Sequence, residues 1–121
     1  MIQDEFETVL SMMAAQYADA CAEEIIALED EAKNKRHIDN LKTRLQMFAH
    51  DSGTISGRNK EMRDLQATSV LEQSETYQQD HRYFDQTVSI RKAATMKRIG
   101  IENEWKMWRA WLASQGGTCS T

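Results

Sequence analysis

The sequence predicts an all-α protein, and three observations point that way. Proline is absent and glycine occurs 5 times in 121 residues, a poor supply of turn-formers for a sandwich or barrel of short strands. Apolar residues recur at a mean spacing of 3.5 positions in both halves of the chain, the period of a helix held against another helix. Hydrophobic residues make up 40% and charged residues 28%, which supports a modest core and argues against wholesale disorder. The length suits one domain, expected over residues 1–115 with a flexible tail at 116–121. The predicted architecture is a long, coiled-coil-like antiparallel helical hairpin with a short middle helix, self-associating into an oligomer.

The first helix is predicted over about 2–50, where neither glycine nor proline interrupts the chain. Its apolar track runs Phe6, Val9, Met13, Tyr17, Cys21, Ile25, Leu28, Ala32, Ile38, Leu41, Leu45 and Phe48, with Lys35 filling one slot. The flanks are rich in Ala, Glu, Gln and Lys, all good helix formers. The polar stretch Lys33-Asn34-Lys35-Arg36-His37 is its weakest point, where the sequence leaves a local bend or a break open. Asp51–Gly57 is the clear break, because Gly53 tolerates a positive φ and Gly57 permits a second change of direction.

A second helix, about 59–73, starts with Asn59 as N-cap and Glu61 near its positive end, and has a thin face of Met62, Leu65, Gln66, Ser69 and Val70. The third, about 76–114, opens with Thr76 and Gln79 at capping-box spacing. Its track steps through 77, 81, 84, 88, 91, 95, 98, 101, 105, 108 and 112. Arg91, Thr95 and Arg98 leave the middle of that track polar, Gly100 allows close approach of a neighbour, and Gly116-Gly117 ends the helix.

Lengths set the expected topology. Helices of about 48 and 39 residues span roughly 72 and 58 Å, and fold back most simply as a hairpin. Placing residue 50 opposite residue 76 brings Lys97 and Arg98 toward Asp30 and Glu31. Leu10, Met12, Ile26, Met47, Ile90, Met96 and Trp111 lie off the main tracks, and a second copy of the chain is the economical cover for them.

No constellation for chemistry is present. His37, His50 and His81 are dispersed, the two cysteines Cys21 and Cys119 form no Cys-x-x-Cys pair, and there is no phosphate-binding glycine loop or nucleophile elbow. Cys21 reads as a buried structural thiol. The expectation is a protein that is not an enzyme, with no catalytic residues, no metal and no cofactor. No apolar run approaches the roughly 20 residues needed to cross a bilayer, and the acidic start Met1-Ile2-Gln3-Asp4-Glu5 is unlike a secretory signal. No membrane partner and a cytoplasmic location are expected.

Charge is segmented. Residues 1–31 carry nine acids and no Lys or Arg, whereas residues 32–63 carry eight bases against three acids. Lys33, Lys35, Arg36, Lys42, Arg44, Arg58, Lys60 and Arg63 are therefore the candidate phosphate contacts. Trp105, Trp108 and Trp111 share helical faces and read as a hydrophobic plug or an oligomer contact. With Glu23, Glu24, Glu29 and Asp30 they are the candidate contacts to a partner or to another copy.

Gly57-Arg58-Asn59-Lys60-Glu61-Met62-Arg63, between two long amphipathic helices, resembles a Gly-Lys/Arg-Asn-x-Glu-x-Arg turn in small phage-encoded helical proteins. The layout also looks like that of phage recombination mediators. The resemblance implies a phage accessory protein of DNA recombination or replication that oligomerises and binds single-stranded DNA or a recombinase, in the cytoplasm of the bacterial host. A phage origin equally suits a small anti-defence inhibitor or adaptor whose acidic helix occupies a basic site on a host defence or nuclease complex.

Overall fold

The computed structural model describes residues 2–119, with side chains described over 4–115. It is all-α, 92% helical, with no strand among the described residues. The elements are α1 (Ile2–Asp51), α2 (Lys60–Gln73) and α3 (Glu75–Cys119). α1 stays helical through 33–37, so this polar stretch does not interrupt the helix. α3 runs on through Gly116 and Gly117 to Cys119; two glycines cost a helix only about 1 kcal/mol each, and no proline forces a stop. The side chains of the expected tail lie outside the described residues.

The helices contribute to two compact units, residues 1–28 with 90–121 and residues 29–89. In the first unit the two segments run antiparallel. Phe6 meets Trp108 and Trp111, Tyr17 meets Trp105, and Glu23 and Glu24 meet Lys97 and Arg98. This register corrects the expected meeting of Lys97 and Arg98 with Asp30 and Glu31 by roughly two helical turns. The aromatic end goes with this offset, because Phe6 stacks on Trp111 and meets Trp108 edge-on.

The α3 track is borne out at every position from 77 to 112, each half-buried. The α1 track is borne out at Phe6, Val9, Met13, Tyr17, Cys21, Ile38, Leu41 and Leu45, and departs at four positions. Tyr17 is followed in the packed face by Ala20, Glu24 and Ala27, while Ile25 (55% exposed), Leu28, Ala32 and Phe48 turn outward. Two four-residue steps in succession, as in 17-21-25, carry a track about 80° around a helix. Alanines keep the true seam facing its partner, and Ala20 is 1% exposed. The polar middle of α3 is matched rather than weak: Arg98 Nε donates to Glu24 Oε1 at 2.7 Å, and Arg98 Nη1 also reaches Glu102.

In the second unit, Ile38, Ala49, Ile55, Leu71 and Thr87 are buried. The turn after α1 follows from its glycines. Gly53 takes φ +79 as expected, and its N–H donates to His50 O at 3.1 Å. Ile55 then drops into the core with its N–H on Ala49 O. Gly57 serves space, not a positive φ: a Cβ there would lie 2.7 Å from Met62 Cβ and 3.1 Å from Arg63 N. Asn59 is the N-cap of α2, its Oδ1 accepting from Met62 N at 2.8 Å. The expected Thr76–Gln79 capping box is replaced two residues earlier by Ser74, whose Oγ accepts from Tyr77 N at 3.2 Å. Gln78 Nε2 closes the corner by donating to Leu71 O. On α2, Met62 and Leu65 are exposed, and Leu71 is the residue that the unit buries.

Candidate functional site

The eight candidate phosphate contacts all fall in the unit formed by 29–89, and all are exposed. None is ion-paired among the described residues. The contrast with Lys97, Arg98 and Lys106, which are paired to Glu23, Glu24 and Glu102, is sharp. The unit carries eleven carboxylates and nine Lys or Arg residues, so any attraction for phosphate is local and not a net field.

Helix geometry divides the basic residues. At about 100° per residue, Lys33 and Arg44 share one flank of α1 within roughly 20°, Lys35 and Lys42 share the opposite flank, and Arg36 lies at the back. Arg58, Lys60 and Arg63 stand at the loop and first turn of α2.

The Lys33–Arg44 flank also carries aromatic side chains, and of Phe48, Tyr77 and Tyr83, the rings near the basic positions in sequence, the structure exposes Phe48 and Tyr83. His37 and Phe48 lie on it too, within an arc of about 60°, and Phe48 is 72% exposed. Lys33, Asn34, His37, Asp80 and Tyr83 line a recess of about 260 Å³, which brings Tyr83 of α3, also exposed, to the same side. His37 Nε2 and Asp80 Oδ2, 2.8 Å apart, share a hydrogen bond that holds the wall of the recess. Cations and exposed aromatic rings thus alternate along about 22 Å of α1. Periodicity placed Phe48 on the apolar track of α1, and the structure turns it outward.

The candidate partner contacts fare differently. Glu23 and Glu24 are engaged inside the chain, while Glu29 and Asp30 are exposed. The Thr95 hydroxyl, then Arg98, hold the Glu24 carboxyl below its ordinary range, and the Glu24 bond raises Arg98. Trp105 packs on Tyr17 with Arg109 over its ring at 5.8 Å. Cys21 is half-buried, and its hydrogen bond raises the Tyr17 hydroxyl. Phe6 stacks on Trp111 at 4.6 Å and meets Trp108 edge-on at 5.8 Å. These three rings with Glu104 and Met107 line an open apolar groove of about 670 Å³.

Among the described residues no group of three His, Cys, Asp or Glu side chains is placed to hold a metal ion, and no helix is long and apolar enough to cross a membrane. Comparison with known proteins yields no family model, no curated protein and no solved structure that matches the chain.

Proposed function

We propose that the chain is a self-associating helical hairpin that acts, without catalysis of its own, as a phage accessory protein in DNA recombination or replication, and that it binds single-stranded DNA along the Lys33–His37–Arg44–Phe48 flank of α1 and Tyr83. The alternation of unpaired cations with exposed aromatic rings carries this reading. Phosphates require cations that are not already committed to carboxylates. Unstacked bases require exposed rings, each stacking contact contributing about 1–3 kcal/mol. Duplex DNA keeps its bases stacked and gains nothing from Phe48 and Tyr83, which is why the single strand is favoured. The Gly57–Arg63 turn motif supports the assignment to recombination or replication.

The acidic-inhibitor alternative is less well supported, because Glu23 and Glu24 are consumed by Lys97 and Arg98 within the chain. Fluorescence anisotropy with a labelled thirty-nucleotide oligothymidylate at 50 mM salt tests the proposal. Phe48→Ala and Tyr83→Ala should each weaken binding by at least fivefold. Arg44→Ala should reduce the log–log salt slope by roughly 0.7, whereas Lys35→Ala and Lys42→Ala on the opposite flank should have smaller effects. Absence of binding by the unaltered protein at 50 mM salt removes the DNA reading and leaves a protein partner for exposed Glu29 and Asp30.

A further inference from the structure

Among the described residues, the back of α3 in the first unit has no intrachain partner. Rotation of about 100° per residue puts Ala93, Met96, Gly100, Asn103, Met107 and Ala110 on one face, roughly opposite Arg98 at the centre of the packed seam. All six are exposed, Met96 and Met107 by 72% and 73%. None is charged, in a protein where 28% of residues are. The spacing alternates three and four residues, as in a coiled-coil seam. Gly100 has open space where a Cβ would stand, so the expected close neighbour is not among the described residues.

Read in either direction, this face is Ala, Met, Gly or Asn, Met, Ala. Such a face is self-complementary, as a two-fold interface requires. We propose that a second copy of this chain packs antiparallel on it, about a two-fold axis between Ile101 and Glu102. Met96 then lies opposite Met107 of the second copy, Ala93 opposite Ala110, and Gly100 opposite Asn103. Gly100 makes room for the Asn103 amide, and a polar residue in such a seam fixes its register.

The edges agree with the antiparallel sense. Along one edge Lys97 meets Glu104 of the second copy, and Glu104 meets its Lys97. Each Lys97 has Glu23 at 3.1 Å on its other side. Farther along, Ile90, itself exposed, reaches the groove lined by Met107 and Trp111. Along the other edge Ile99 lies against the stem of Lys106, and Lys92 against Ala113. No like charges are opposed on either edge, and complementary edges select the orientation. The groove, Met96 and Met107 are all covered by one occupant.

This deepens the self-association in the proposed function, and its test is separate from DNA binding. Light scattering should give about 28 kDa, twice the 14.0 kDa chain mass. Met96→Glu with Met107→Glu should return the monomer mass with unchanged helicity and unchanged oligonucleotide affinity per chain, since both side chains are already exposed. Glu104→Lys should weaken association, and adding Lys97→Glu should restore it. In a background lacking Cys21 and Cys119, mild oxidation of a mixture of Ala93→Cys and Ala110→Cys chains should yield the mixed disulfide, and neither chain alone should cross-link. A monomer at 100 µM, an unchanged mass for the double glutamate variant, or self-cross-linking of Ala93→Cys overturns the proposal.

Discussion

Gln66→Ala is the substitution whose cost follows most directly from the geometry. One amide oxygen, Gln66 Oε1, accepts from two consecutive backbone N–H groups, Ser56 at 3.0 Å and Gly57 at 2.9 Å. Gly57 is half-buried against α2, so its N–H has little access to replacement water. A net 0.5–1.5 kcal/mol for each hydrogen bond gives a loss of about 1–3 kcal/mol. For a chain of this size that corresponds to a fall of roughly 3–12 °C in Tm. Thermal unfolding followed by circular dichroism at 222 nm, repeated as a denaturant titration, measures it. Gln66→Glu is the control, because a carboxylate keeps an acceptor at the same place and should retain most of the stability at pH 7. Gly57→Ala should cost a further 1–3 kcal/mol by overpacking, as its Cβ meets backbone as well as Met62. A Tm within 1 °C of the parent for Gln66→Ala would refute the idea that this side chain fastens the loop.

The caps give a second comparison: Asn59→Ala and Ser74→Ala should each cost about 0.5–2 kcal/mol, while Thr76→Ala, inside the first turn of α3, should cost less; equal effects at 74 and 76 would contradict the placement of the cap. Gly100→Ala should raise helix stability by about 1 kcal/mol, since the added methyl meets nothing in the chain, and should weaken self-association in the same preparation; stabilisation of both would be the wrong sign. The Glu24 carboxyl is held below its ordinary value by Thr95 and Arg98. It therefore contributes stability above its unfolded pKa that is lost as pH falls through the lower folded value. Glu24→Gln should flatten the acid limb of the denaturant midpoint between pH 5 and 2.5, and an acid limb as steep as the parent's would assign the loss to other carboxylates.

The pairing of Glu24 with Arg98 also bears on how surfaces are allotted. An acidic segment of nine carboxylates in residues 1–31 looks from its composition like one charged face. Two of its members instead hold the helices of the first unit together. Among the described residues the basic segment's eight cations have no ion-pair partner, so the two blocks that look symmetric along the chain are not equivalent in chemistry.

Much of this protein is determined locally and can be read without coordinates. The absence of proline, the helix formers of 2–50 and the 3.5-residue spacing of α3 follow from backbone propensity and from which residues avoid water. Gly53 and Asn59 act within a few residues of themselves, through a positive φ and a side chain that accepts from Met62 N. Only tertiary structure decided which face of α1 is packed. Ile25 and Leu28 outrank Ala20 and Ala27 in hydrophobicity, yet close approach of two helices favours the small residue at the contact. Stacking of Phe6 on Trp111, a contact across 105 positions of sequence, goes with the register that gives Glu23 and Glu24 their partners. In the second unit Phe48 faces outward, and in the first Met96 and Met107 are exposed. Propensity acts over a few residues, whereas the rotation of a helix is fixed by whatever lies against it.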